Sequence, residues 1–175
     1  VLSANGHKVT GLKRNPPKSD TGEIDYFTAD ITVSTDLKDL PTDFDILYFI
    51  LSPDGRNEES YRAIYQSGVN NLLNTFSLAG ANPHWIFVSS TSVYGQSRGE
   101  WVDEKSIADP ESATSQLIRQ AEQKLMVLDP ENIVVRFSGI YGPGRESLLR
   151  MARQAPAIQQ NPPYFTNRIH VQDCI

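Results

Sequence analysis

The residues with the clearest chemical potential are Ser89-Ser90-Thr91-Ser92-Val93-Tyr94-Gly95, four consecutive hydroxyls followed by a phenol beside a glycine. A phenol whose pKa is lowered by a nearby cation can move a proton. An arginine stands four residues after two of the tyrosines, Arg98 after Tyr94 and Arg145 after Tyr141. Tyr94 is thus the first candidate for proton transfer and Tyr141 the reserve. A plainer role stands beside this one. Hydroxyl-rich turns are common after strands, and a tyrosine can brace a loop by hydrogen bonding through its hydroxyl. His7, His84 and His170 have no ligand-like spacing, so no metal site is expected.

The elements that would position these groups can be read from pattern. His84-Trp85-Ile86-Phe87-Val88 is apolar without alternation, which predicts a strand buried on both faces of a parallel sheet. Its hydroxyls would then sit at the carboxyl edge, where open α/β folds bind ligands. Further strands are predicted over Lys8–Leu12, Tyr26–Asp30, Asp45–Leu51 and Ile133–Phe137. A long helix is predicted from 57 to 80, with Asn57 as its cap, Glu58 and Glu59 in its first turn and Gly80 as its stop. Asp109-Pro110 is expected to open a second helix with proline at its first position, running to Leu128. Gly139 to Arg145 reads as a glycine-rich loop and Ser147 to Ala152 as a short helix. Alternating strands and helices give βαβ units, hence a doubly wound parallel α/β sheet.

The chain has 175 residues, a net charge of −5 and one cysteine, Cys174. No basic cluster is longer than Lys13-Arg14, which argues against a nucleic-acid or anionic-membrane partner. A lone cysteine excludes an internal disulfide and fits the reducing cytoplasm. No signal peptide or membrane-spanning run is found. Both ends read as cut: Val1–Gly6 as the last turn of a helix, Arg168–Ile175 as the entry to another.

Four ordered pieces add a resemblance. They are Phe87-Val88-Ser89-Ser90-Thr91-Ser92-Val93-Tyr94-Gly95, Gly68-Val69-Asn70-Asn71-Leu72-Leu73, Val135 to Arg145, and Arg168-Ile169-His170-Val171-Gln172-Asp173. Together they resemble the extended short-chain dehydrogenase/reductases, the NAD-dependent epimerase/dehydratase family. The resemblance implies a Rossmann-type fold whose first strand and Gly-rich phosphate turn are not in this sequence. It implies one NAD(P)-binding domain across 1–175, with a substrate-side segment starting near 139. Lys13 and Arg14 occupy the position that selects the cofactor. A base there accepts a 2′-phosphate, so NADP is favoured over NAD. Asp30 matches the position facing the adenine amine, and Leu51-Ser52-Pro53 the segment covering the adenosine. Ser89 falls on the cofactor side of the strand end, and Ser90 on the hydroxyl that holds the reacting oxygen.

The sequence departs from the family in one respect. The family uses a Tyr-x-x-x-Lys pair on the helix here placed at 110–128. Aligned on Ala121-Glu122, those positions hold Thr114 and Ile118. The pattern resembles atypical members that lack the pair. The expected function is an NAD(P)-dependent epimerase/dehydratase-like protein acting on a nucleotide sugar or similar small molecule. The alternative is a non-catalytic NAD(P)-binding redox sensor or scaffold. The resemblance also implies a possible homodimer through the two long helices, with Tyr61, Leu72 and Leu125 among the positions that could face a partner.

Overall fold

The computed structural model describes residues 1–17, 24–154, 157, 161 and 165–175. The chain divides into two compact units, one formed by Val1–Leu47 and Ser52–His84, the other by Tyr48–Leu51 and Trp85–Ile175.

In the first unit, β1 (Thr10–Lys13) pairs in parallel with β2 (Asp25–Thr28), Lys13 opposite Thr28. The chain leaves β2 through buried Ala29 and Ile31. The helix predicted from 57 to 80 forms, but not uniformly. It is α1 (Glu58–Tyr61), a wider π turn over Arg62–Gly68, then α2 (Val69–Leu78). Asn57 caps it as expected, its Oδ1 accepting from the Ser60 amide at 2.9 Å. Gly80 ends it at φ +68°, with Ala81 N–H reaching the Phe76 carbonyl and Gly80 N–H the Ser77 carbonyl. That is a Schellman stop, and it needs the left-handed residue glycine supplies. Gly68 is required for a different reason: a Cβ there would collide with Ile31 Cδ1. Helix and strand exit therefore pack at backbone distance, tied by Asn71 Nδ2 donating to the Ile31 carbonyl at 2.9 Å.

β4 (His84–Ser90) lies between β3 (Ile46–Phe49) and β5 (Ile133–Phe137) and pairs with β5 in parallel; all but Ile46, Leu47 and His84 of these strands belong to the second unit. The burial of β4 alternates, which the unbroken apolar run did not suggest. Trp85, Phe87 and Ser89 are buried, while Ile86, Val88 and Ser90 are half-buried, so one face is covered more completely. Phe87 stacks on Phe49 with centroids 5.2 Å apart. The helix α3 (Ala113–Leu128) begins later than the proline signal implied. Ser112 is the cap, accepting from the Ser115 amide, and Pro110 lies ahead of it. A serine hydroxyl can satisfy an otherwise unpaired helix amide, and Ser112 does so here. Asn132 closes the far end, donating to the Leu125 carbonyl and accepting from the Trp85 amide, both at 2.8 Å.

The segment from 139 is not all loop. Gly139–Tyr141 forms β6, parallel to β7 (Arg168–His170), and the chain turns only after β6, at Gly142 and Gly144. The absent Cβ of Gly139 leaves room for the Arg168 side chain. Ser147–Arg153 is α4. The parallel pairs and intervening helices are those of the α/β class.

Two of the expected partner-facing positions belong to the core instead. Leu72 and Leu125 are 4% and 0% exposed, since each points into the apolar face of its own unit. Among the described residues, no helix is long and apolar enough to cross a membrane.

Candidate functional site

Two groups of candidate residues form, one in each unit. The first surrounds a depression of about 150 Å³ lined by Arg14, Asp30, Thr32, Asp54, Ser60, Ala63 and Ile64. Arg14 leaves the end of β1 and donates from Nη2 to Asp54 Oδ2 at 2.7 Å, with Nη1 3.8 Å from Asp30 Oδ2. The Asp54 hydrogen bond and charge raise the Arg14 pKa, with Asp30 adding to the effect. Asp30 is fixed by Thr32, whose hydroxyl and amide both donate to Oδ1, at 2.7 and 2.8 Å. The Thr32 hydroxyl bond is the main cause of a lowered Asp30 pKa. The group therefore combines a guanidinium with a carboxylate of fixed orientation, able respectively to meet a phosphate and to accept from an amine.

Arg14 and Asp30, both expected at the cofactor, are thus brought together. Lys13 is exposed at the end of β1. Ser52 is exposed and Pro53 half-buried in the same unit, while Leu51 is exposed in the other. Sequence reasoning missed Thr32 and Asp54. The Asp-x-Thr spacing was a readable signal for the turn that fixes Asp30. A larger depression, about 370 Å³, lies among Ser3, Ala4, Gly6, His7 and Lys8 and contains none of the candidate residues.

The second group lies where β4 ends. Glu122, on α3, has a side chain only 1% exposed. Its Oε1 accepts from Ser89 Oγ at 2.5 Å and from Arg136 Nε at 2.9 Å. Its Oε2 accepts from Arg136 Nη2 at 2.8 Å and Arg119 Nη1 at 2.9 Å. The hydrogen bonds that Arg136 donates to Glu122 push its pKa above the ordinary value. Arg136 also donates from Nη1 to Tyr94 Oη at 2.9 Å, its guanidinium carbon 4.9 Å from the ring centroid. Tyr94 in turn donates to the Asp103 carbonyl at 2.7 Å.

These contacts correct one expectation. The cation at Tyr94 is Arg136, on β5, and not Arg98. The Arg98 side chain is 91% exposed and approaches Glu100 instead. Spacing of four along a loop does not bring side chains together as it does on a helix. Gly95 lets the loop pass close to the backbone at Asp109, since a Cβ there would run into the Asp109 carbonyl. Tyr141 has a different neighbour as well: its ring meets His170 edge-on at 5.2 Å. Ser90 Oγ accepts from the Ser92 amide at 3.1 Å, which leaves its own proton free to donate. The Ser89 proton is held by Glu122. On α3, Ile118 is buried in the core, and Thr114 lies 3.3 Å from the Ser112 hydroxyl.

Residues 1–171 match the family model described as NAD dependent epimerase/dehydratase family. Protein YeeZ of Escherichia coli K12 is 28% identical over 99% of this chain, which spans 64% of that protein. A solved structure from Methylobacillus flagellatus, named as an NAD-dependent epimerase/dehydratase, is 35% identical with a TM-score of 0.69. It covers 97% of this chain and 59% of its own. MoeE5 in complex with UDP-glucuronic acid and NAD is 20% identical at a TM-score of 0.70, covering 99% of this chain and 63% of its own. The chain therefore spans less than two thirds of the relatives it matches, and its fold is the Rossmann-type fold they share.

Glu122→Ala should destabilise the protein by about 3 kcal/mol, because it strands Arg136 and Ser89 in a largely dry site. Urea unfolding followed by circular dichroism measures this. A loss under about 0.5 kcal/mol would mean that the network does not hold the unit together.

Proposed function

We propose, for a chain that belongs to the NAD dependent epimerase/dehydratase family, that the whole protein binds a nicotinamide dinucleotide with the adenosine end at Arg14 and Asp30. The observation that carries this is the depression where Arg14 lies beside an Asp30 held in place by Thr32. Its size suits one portion of a dinucleotide rather than the whole. Asp30 would accept from the adenine amine, and Leu51, Ser52 and Pro53 would cover the adenosine. Arg14, with Lys13 nearby in sequence, would meet a 2′-phosphate, which favours NADP over NAD. Bound nicotinamide would supply hydride transfer. MoeE5, with its bound UDP-glucuronic acid, supports a nucleotide sugar or similar small molecule as substrate.

Calorimetry on full-length protein should give heat with at least one of NAD, NADH, NADP and NADPH. Silence from all four, with no thermal shift, sinks the reading. Arg14→Ala should weaken NADPH binding about tenfold or more while sparing NADH, since it removes a charge-assisted hydrogen bond. Wild-type protein that binds NADH as well as NADPH would refute the phosphate preference.

For the reaction itself, Ser90 would hold the reacting oxygen with its free proton, and Ser89 would shape the cofactor side of the strand end. Tyr94 would move the proton, with Arg136 stabilising the phenolate and Tyr141 in reserve. A second reading, a non-catalytic NAD(P)-binding sensor or scaffold, is favoured by two observations. Ile118 fills the lysine position with core packing, and Tyr94 already donates to Asp103. Tyr94→Phe separates the two in an assay with nucleotide sugars. Enzymatic use of Tyr94 predicts a loss on the order of 10²–10⁴ in turnover. Unchanged turnover in Tyr94→Phe, Tyr141→Phe and Ser90→Ala leaves the sensor reading.

A homodimer remains part of the proposal, with half-buried Tyr61 the one of the three expected positions not taken up in the core. Light scattering that gives a monomer at micromolar concentration would exclude it.

A further inference from the structure

We propose that Asp54 is a selectivity residue for the dinucleotide, its carboxylate taking the guanidinium edge of Arg14 that a 2′-phosphate would use. This inference rests on the reading of the Arg14 depression as the adenosine seat. It adds a competitor that the family resemblance did not assign.

The geometry is specific. Arg14 has two carboxylates within reach, and the closer is Asp54 at 2.7 Å, against 3.8 Å for Asp30. Asp30 is held toward the depression by two bonds from Thr32. Asp54 comes from the turn that precedes the long helix, and that turn is fixed against the helix start. A Cβ on Gly55 would lie 2.8 Å from Ser60 Oγ, and Asn57 caps the Ser60 amide. Ser60 lines the same depression as Arg14 and Asp54. The turn therefore delivers Asp54 to Arg14 across 40 residues of sequence.

The two cofactor types would meet this arrangement differently. A guanidinium binds a phosphate best when two parallel N–H groups are free to donate. Asp54 already takes one of those donors, and its negative charge opposes an incoming phosphate. The phosphate would have to turn the Asp54 carboxylate aside. That displacement costs little, since the Asp54 side chain is 75% and the Arg14 side chain 51% exposed. A ribose 2′-hydroxyl carries no charge and makes no demand on the Arg14 donor that Asp54 holds, so the unphosphorylated dinucleotide meets no such competition. Asp54 thus lowers affinity for the phosphorylated form selectively.

The test uses full-length protein and isothermal calorimetry. The ligands are NADPH, NADH, adenosine 2′,5′-bisphosphate and 5′-AMP. The proteins are wild type, Asp54→Asn, Asp54→Ala, Arg14→Ala and the double variant Arg14→Ala/Asp54→Asn, each first checked by thermal melting. Both Asp54 variants should tighten NADPH and the bisphosphate about threefold to tenfold, with NADH and 5′-AMP within about twofold. The gain should vanish on the Arg14→Ala background. If Arg14→Ala weakens NADPH but both Asp54 variants leave the NADPH-to-NADH ratio within about twofold of wild type, Asp54 does not compete and this inference is overturned, while the cofactor seat stands. A gain that persists without Arg14 overturns it equally. If no ligand binds any of these proteins, or Arg14→Ala changes nothing, the adenosine reading fails and takes the inference with it.

Discussion

A carboxylate buried away from water is costly unless every lone pair finds a donor, and Glu122 meets that condition. Ser89, Arg119 and two nitrogens of Arg136 fill the four acceptor positions a carboxylate offers. The donors come from the end of β4, from α3 itself and from β5, so one side chain fixes three elements of the second unit. Arg136 extends the constraint. With its fork on Glu122, its remaining nitrogen holds the Tyr94 hydroxyl, and Tyr94 holds the loop at Asp103. The carboxyl edge of β4 takes its shape from this chain of contacts. Apolar packing of Phe87 on Phe49 sets the strand's depth, but it has no directional demand comparable to a bidentate guanidinium.

The Arg14 group has the opposite character. Arg14, Asp30 and Asp54 are exposed or half-exposed, so their pairings are cheap to rearrange. A charge network shielded from water serves to hold a shape. One in water is suited to exchanging an internal partner for a ligand. The two groups therefore differ on physical grounds, Glu122 held in a fixed set of buried bonds and Arg14 in pairings that water screens.

Much of this organisation was legible because it depends on local pattern. Asn57 ahead of two glutamates, Gly80 after the apolar stripe and the run ending at Ser89-Ser90 each carry their cause within a few residues. Asp30 and Arg14 were singled out through motif position, and the structure places them 3.8 Å apart. The rest depends on distance in sequence. Arg136 reaches Tyr94 across 42 residues and Asp54 reaches Arg14 across 40, which no periodicity encodes. Glu122 carries a charge, which gives no hint in the sequence that it occupies the buried face of its helix. Pro110 misled because proline tolerates a helix start without specifying one, while Ser112 supplies the acceptor. The π turn at Arg62–Gly68 has no signal in the sequence that we can identify.

Loss of the tyrosine–lysine pair has a structural counterpart on α3. The buried face of that helix carries Ser115, Leu117, Ile118, Ala121, Glu122 and Leu125. An ammonium at 118 would sit one helical turn before the Glu122 carboxylate, and its charge would need water or a partner. With isoleucine there, the position is part of the apolar core, and Glu122 is left to the two arginines and Ser89. At the strand-end loop, by contrast, Ser90 accepts from the Ser92 amide with its own proton left to donate, and Tyr94 is held by the Arg136 guanidinium. Loops are where α/β proteins most readily place chemistry, provided a rigid element anchors them. Here the Glu122–Arg136 contact ties β5 to α3, and through Tyr94 it holds the loop that follows β4.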